Sequence, residues 1–338
     1  MQHLNRLSEW SGLPTGVLWL MAGIFLALII GSIIRLTQLH KLSEDTARSL
    51  VLRLRTWWVI AIVLAVVVLL GRPAIVGLIC LVSVLALREY MALVPERARY
   101  GRLVWWTYAA ALLQYTWVYL NLFELFMIFI PILMFLLLTL RIVAMRQPEG
   151  FVHMVGTLQW GLMMFVFCLS HVAFLLSLPP STNPVGGAIG WFLYLVLLTE
   201  LNDIVQALVG RPLGRHKVIP EISPGKSWEG LIGAVLCTTV VAVLLAPVLT
   251  PLGEPSPRLV EIGFSLPYNL SPWAIGAGLI IGVGGFCGDI AVSAVKRDAH
   301  VKDSGTLLPG HGGVLDRIDS LTFTAPLFFH YVYFLYYS

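Results

Sequence analysis

Charge is what this chain has least of. Asp, Glu, Lys and Arg make up 12% of its 338 residues, about half the share of an ordinary soluble domain, which excludes a soluble globular fold. Cysteine is scarce too. Cys80, Cys168, Cys237 and Cys287 each sit inside an apolar run, with no Cys-x-x-Cys and no Cys/His ligand spacing. That removes a zinc centre and a disulfide framework, and the four read as small core residues. The basic residues form no cluster on a water-facing stretch, so nucleic acid is not an expected partner. Internal repeats and low-complexity tracts are absent. Residues 1–14 are polar and mixed, unlike a cleavable signal peptide.

What the chain does have is apolar length. Hydrophobic residues reach 58% and the mean hydropathy is +0.85, in runs near the roughly 20 residues that cross hydrocarbon as a helix. The expected fold is an all-α polytopic integral membrane protein with about ten transmembrane helices. The candidate stretches are 15–35, 57–71, 73–90, 103–120, 122–140, 155–178, 186–201, 229–250, 273–292 and 321–337. Gly71-Arg72-Pro73 punctuates the second and third, which read equally as two short spans or one re-entrant element. Residues 1–185 are expected to form an N-terminal membrane scaffold, and 186–338 a C-terminal catalytic membrane domain.

Lys and Arg are unevenly shared between the loops. With ten spans, Arg6, Arg72 and Arg258 fall on one side and the other 19 of the 22 on the opposite side. The positive-inside bias puts the richer side in the cytoplasm and both termini outside. The expected location is the cytoplasmic (inner) membrane, with the catalytic loops cytoplasmic. Segment 36–56, leucines among cationic side chains, reads as an amphipathic helix on the anionic inner leaflet or as a solvated linker. Glu89, the acidic group at membrane depth in this half, reads as an interfacial partner of Arg88.

Two cytoplasmic regions carry chemistry. In Glu200-Leu-Asn202-Asp203-Ile-Val-Gln206 a continuing helix puts Asn202, Asp203 and Gln206 on one polar corner. The loop after it holds Gly210-Arg211, Gly214-Arg215 and Ser223-Pro-Gly-Lys226-Ser227. Its glycines and pre-helix amides are the parts of a phosphate cradle, without the spacing of a Walker A loop. A plain basic loop capped by Ser227 fits the same residues. In the second region Asp289, Ser293, Lys296 and Arg297 fall within about a 100° arc of one helix. Lys302, Asp303, His311-Gly312-Gly313, Asp316, Arg317 and Asp319 follow, with Asp316 and Asp319 on one helix side at i, i+3. Carboxylates from two segments beside lysines and arginines suit a divalent metal with a polyphosphate. A salt-bridge network between helix ends is the plainer alternative.

Ser293-Ala-Val-Lys296-Arg297, Lys302-Asp303-Ser-Gly305 and Leu308-Pro-Gly-His311-Gly312-Gly313-Val-Leu-Asp316-Arg317-Ile-Asp319 resemble, without a departure, the signature of the phosphatidate cytidylyltransferases. Asp203, Gly210-Arg211, Gly214-Arg215 and Ser223-Pro-x-Lys226-Ser227-x-Glu229-Gly230 are similar to that family's second motif. One departure lies at Asn202-Asp203-Ile-Val-Gln206-Ala207, where many members have Asp-x-x-Ala-Tyr. The resemblance implies CTP plus phosphatidate, or a related lipid phosphate, giving CDP-diacylglycerol and pyrophosphate by in-line attack on the α-phosphorus. The active site would be a cytoplasm-facing polar cavity built by the C-terminal helices. Mg²⁺ is implied at Asp289 and Asp316, with K⁺ as a companion cation. The expected catalytic residues are Asp289, Asp316, Lys296 and Lys226. Expected substrate contacts are Asn202, Asp203, Ser223, Lys226, Ser293, Lys296, Arg297, Lys302, Asp303, His311, Gly312, Gly313, Arg317 and Asp319. Membrane lipids are further partners, and a homodimer is the assembly considered. Two other readings are a CTP-dependent polyprenol or phytol-type lipid kinase and a transporter using the Asp/Lys cluster. Against a transporter stand the absence of a repeat and charges gathered at one face.

Overall fold

The structure, a computed structural model, describes residues 12–37, 39, 43–94, 101–146, 149–261, 272–310 and 312–337. In chain order its helices are α1 (Thr15–Leu36), α2 (Glu44–Leu70), α3 (Arg72–Leu93), α4 (Leu103–Tyr119), α5 (Phe123–Val143), α6 (Phe151–Ser177), α7 (Gly187–Leu213), α8 (Trp228–Leu249), α9 (Pro257–Glu261), α10 (Pro272–Asp298), α11 (Leu315–Ile318) and α12 (Leu321–Tyr336). No β-strand occurs among the described residues. The protein is an all-α polytopic membrane protein. Every one of the ten apolar stretches is helical, and eight helices are long and apolar enough to cross a bilayer. The two that fall short are α4, at 17 residues, and α12, at 16. At 1.5 Å per residue they reach only about 25 Å, less than the roughly 30 Å of hydrocarbon.

Gly71, with φ of +81°, separates α2 from α3, so two full helices stand there and not one re-entrant element. Segment 36–56 also differs from expectation. From Glu44 it belongs to the 27-residue α2, as a charged extension of the span, and is neither a separate surface helix nor a linker.

Two packing regions position the site. In the first, an aromatic cluster joins α5 and α6 to the last helix: Phe126, Phe167, His171 and Phe174 pack with Phe329 of α12. In the second, α7, α8 and α10 meet closely. A Cβ at Gly282 of α10 would stand 3.1 Å from the Val235 Cα of α8, a backbone approach that small residues permit in lipid. Asn202 of α7 sits at this junction, fully buried; it donates to the Gly282 carbonyl at 3.3 Å and accepts from Thr238 at 3.2 Å. The polar corner of α7 is thereby split. Asn202 joins helices, and Asp203 and Gln206 are left towards the ends of α8, α10 and α12.

Candidate active site

The loop before α11 is closed by a backbone hydrogen bond. Leu308 donates to the Gly312 carbonyl at 2.9 Å, and Gly312 takes φ of +80°, a left-handed turn that glycine adopts without strain. This folds Asp316 back onto its own loop. Asp316 Oδ2 accepts from Ser304 N at 2.9 Å, from Ser304 Oγ at 3.0 Å and from Gly313 N at 3.0 Å. Its Oδ1 accepts from Lys296 Nζ at 2.7 Å. Burial alone would raise the Asp316 carboxyl, but the Lys296 hydrogen bond and the Gly313 and Ser304 amides outweigh it and hold it below the usual carboxylate range.

A second carboxylate grips the same loop from the N-terminal half. Glu89, near the end of α3, accepts from Val314 N at 3.0 Å, Leu315 N at 2.9 Å and Ser304 Oγ at 3.0 Å. Thr56 of α2 adds a hydrogen bond to the Pro309 carbonyl at 2.9 Å. Glu89 is buried and Arg88 exposed, which corrects the expected Glu89–Arg88 pair. A carboxylate at that depth takes three donors from the loop in place of a solvated cation. Thr56 does not stand out in the sequence, and Glu89 does so only as an acid at membrane depth, with no sign of this loop as its partner. The one available signal is an acidic residue inside an apolar run.

The other half of the site is an acidic cluster. Asp289 of α10 pairs with Lys226, which also meets Gln206, and accepts from Ser293 at 3.2 Å. Asp203 accepts from Ser320 Oγ at 2.9 Å. Asp319, in the link between α11 and α12, is buried, and its carboxyl lies well above the usual range: burial raises it most, followed by the charges of Asp289 and Asp203, while Lys296 opposes them. The i, i+3 relation of Asp316 and Asp319 therefore hides opposite fates. The α11 helix stops at Ile318, and the two carboxyls take different partners.

Other expected site residues are placed as follows. Asn202 is engaged in helix–helix contact through both its amide nitrogen and its oxygen. Three amides around the start of α8 are also committed, Lys226 N to Ser223, Trp228 N to His216 and Gly230 N to the Ser227 side chain. This part of the loop is therefore a capped turn, with the Lys226 side chain directed to Asp289 and Gln206. Gly313 N serves Asp316. Arg297 ties the Ile222 and Val301 carbonyls together at 3.0 and 2.9 Å. Lys302 and Asp303 are exposed on the rim. His311 lies outside the described residues. Two buried donors, Gln206 Nε2 and Arg317 Nε, have no hydrogen-bond partner. Such donors mark a place where an anion would be held.

The polar groups are closed on one another more than an open cavity would have them. Side-chain exposure is 16% and 19% for Lys226 and Asp289, and 10% and 8% for Lys296 and Asp316. At such burial each lysine needs a counter-charge, and a carboxylate supplies it. Among the described residues no three His, Cys, Asp or Glu side chains stand together as a complete metal cage. The donor set instead suits Mg²⁺. That ion takes one or two carboxylates and completes its shell with water and phosphate oxygens, and it would relieve the repulsion that lifts Asp319.

A cytidylyltransferase family profile matches residues 51–335. The chain belongs to the cytidylyltransferase family. Its chemistry is nucleotidyl transfer, and the matched region takes in α2 and α3, with Thr56 and Glu89, as well as the C-terminal signature. Among relatives, an uncharacterised *Escherichia coli* K12 protein, YnbB, is 44% identical over 312 residues, 92% of this chain and 97% of that protein. A phosphatidate cytidylyltransferase of *Staphylococcus aureus* (strain COL) is 34% identical over 163 residues, 48% of this chain and 56% of that enzyme. The phosphatidate cytidylyltransferase of *Haemophilus influenzae* is 39% identical over 146 residues, 42% of this chain and 45% of that enzyme. The chain thus spans about half the length of the named enzymes that it matches.

Proposed function

We propose that this cytidylyltransferase transfers a cytidylyl group from CTP to phosphatidate or a closely related lipid phosphate, releasing pyrophosphate and leaving CDP-diacylglycerol in the membrane. The observation that carries the reading is the convergence of two lysine–carboxylate pairs, the half-buried Lys226–Asp289 and the more deeply set Lys296–Asp316, beside two buried donors without a partner. The names of the *S. aureus* and *H. influenzae* relatives support the choice of substrate.

The lipid phosphate is already an anion, so its oxygen attacks the α-phosphorus without a strong general base. The new P–O bond forms as the bond to pyrophosphate breaks. Catalysis then rests on positioning and charge neutralisation. Lys226 and Lys296 exchange a carboxylate for a phosphate partner when substrate enters, and Arg317 Nε and Gln206 Nε2 gain the acceptor they lack. That exchange frees Asp289 and the Oδ1 atom of Asp316 as the residues that would hold Mg²⁺, since Asp316 Oδ2 is committed to the Ser304 and Gly313 amides. When bound, the ion supplies neutralisation of the charge that builds on the leaving pyrophosphate. The charge bias counted over ten spans supports a site that faces the cytosol, where CTP is found.

The test is purified protein in mixed micelles with α-labelled CTP, a Mg²⁺ titration with and without K⁺, and a panel of lipid phosphates. CDP-lipid and pyrophosphate in equal amounts are expected. Free CDP together with a newly phosphorylated lipid would show the kinase reaction instead. Absence of both products across the panel would overturn the reading. Light scattering on the same sample reads whether the expected homodimer forms.

A further inference from the structure

Glu89 sits on a span that the catalytic signature does not include, yet its carboxylate is built into the signature loop. Both oxygens are used. Oε1 accepts from Val314 N, and Oε2 accepts from Leu315 N and Ser304 Oγ. The loop is shaped to admit it: a Cβ at Gly305 would stand 2.9 Å from Oε1, and one at Gly313 would collide with Oε2 and Ser304 Oγ. Glycines that a sequence reading gives to ligand approach are, at these two positions, occupied by Glu89.

Ser304 joins this carboxylate to the catalytic one. Its hydroxyl lies 3.0 Å from Glu89 Oε2 and 3.0 Å from Asp316 Oδ2. One hydroxyl carries one proton, so it donates to only one of the two at a time. When it donates to Glu89, Asp316 keeps the Ser304 and Gly313 amides and retains more negative charge for the partner on its Oδ1. A neutral side chain would cap α11 without that effect, and burying a charge is costly unless it is well bonded.

We infer that Glu89 is a positioning residue for cytidylyl transfer, acting through Ser304 to set the orientation and charge of Asp316. The inference rests on the reaction proposed above.

The test uses full-length Glu89→Gln, Ser304→Ala and the double variant, all purified in detergent. Glutamine keeps the size and one acceptor but presents an amide to Leu315 N and Ser304. The turnover of Glu89→Gln is expected to fall by about tenfold or more, as when a group behind a metal ligand is removed. The Mg²⁺ concentration for half-activation should rise, with the KM for CTP and the melting temperature changed far less. Ser304→Ala should show the same Mg²⁺ shift, and the double variant should be no worse than the worse single one, because the two act in series. Turnover and Mg²⁺ dependence of Glu89→Gln within about twofold of the parent would overturn the inference. So would a loss of activity that only follows loss of folded protein. If Glu89→Gln fails to insert, Ser304→Ala decides alone: an unchanged Mg²⁺ dependence overturns the inference. Hydrogen exchange at the Val314 and Leu315 amides and Mg²⁺-dependent CTP binding keep the two proposals separable. If the parent protein makes no CDP-lipid, the reaction reading fails. Weaker amide protection together with weaker Mg²⁺-dependent CTP binding in the variant would still support positioning, and unchanged values would overturn it.

Discussion

At the scale of single residues, the site pairs carboxylates that are comfortable with carboxylates that are not. Asp289 is balanced by Lys226 and Ser293. Replacing it with Asn keeps the shape and removes the charge that the proposed Mg²⁺ needs. Asp289→Asn should insert normally yet lose at least about a hundredfold in turnover, on the scale of losing one transition-state contact; activity near that of the parent would remove Asp289 from the metal site. Asp319 is the uncomfortable one, raised first by burial and then by Asp289 and Asp203. A carboxyl whose folded pKa lies above its unfolded value adds stability only while protonated. That contribution is complete below the unfolded value of about 4 and is lost as pH rises through the folded value. Asp319→Asn mimics the protonated form and keeps an acceptor for Ser320 N, at 2.9 Å in the parent. It should therefore raise the melting temperature, with a larger gain near pH 8 than near pH 5, while cytidylyl transfer falls. Melting curves at the two pH values check this, and a gain that is larger in acid would contradict it.

At the scale of elements, the departure of α7 from the family pattern has a packing explanation at one of its two polar positions. Asn202 holds α8 and α10 through Thr238 and the Gly282 carbonyl. Asn202→Ala would leave the buried Thr238 hydroxyl without its acceptor and take a second donor from the Gly282 carbonyl, a cost of about 1–3 kcal/mol. The melting temperature should drop and the KM for CTP should stay where it is; a selective rise in KM would return Asn202 to the substrate. Gln206 is different. It faces Lys226 and leaves Nε2 free, so the other half of the departure does reach the site. The N-terminus of α8 is a third case. Ser227 caps Gly230, and Glu229 bonds the Arg215 and His216 amides. Of the two sequence readings of this loop, the capped turn describes its backbone at Ser227, and Lys226 carries the phosphate contact that we propose.

At the scale of the molecule, the two ends of α8 offer a direct test of orientation. Lys217 in the loop before it and Glu254 in the loop after it are both exposed. In a variant whose four free cysteines are replaced, Lys217→Cys should react with a membrane-impermeant maleimide only from the cytosolic side, and Glu254→Cys only from the other. The reverse pattern would invert the charge-bias topology. Catalysis with cytosolic CTP requires the first outcome.

Composition and run length were enough to read a helical membrane protein, because a bilayer admits few other ways to satisfy a backbone. Asp203, Asp289, Asp316, Lys226 and Lys296 were legible as well. Charges are expensive at the end of a span, and these sit in motifs whose spacing is local. Two things were not legible. One is the pairing, Lys226 with Asp289 and Lys296 with Asp316, which depends on how α7, α8 and α10 pack and on the turn at Gly312. The other is Glu89, more than 200 positions from the amides it holds. Side chains within one helix report their faces through a fixed period. A contact between helices leaves no such trace, so only the tertiary structure could bring α3 to the signature loop and give a lone buried acid its partners there.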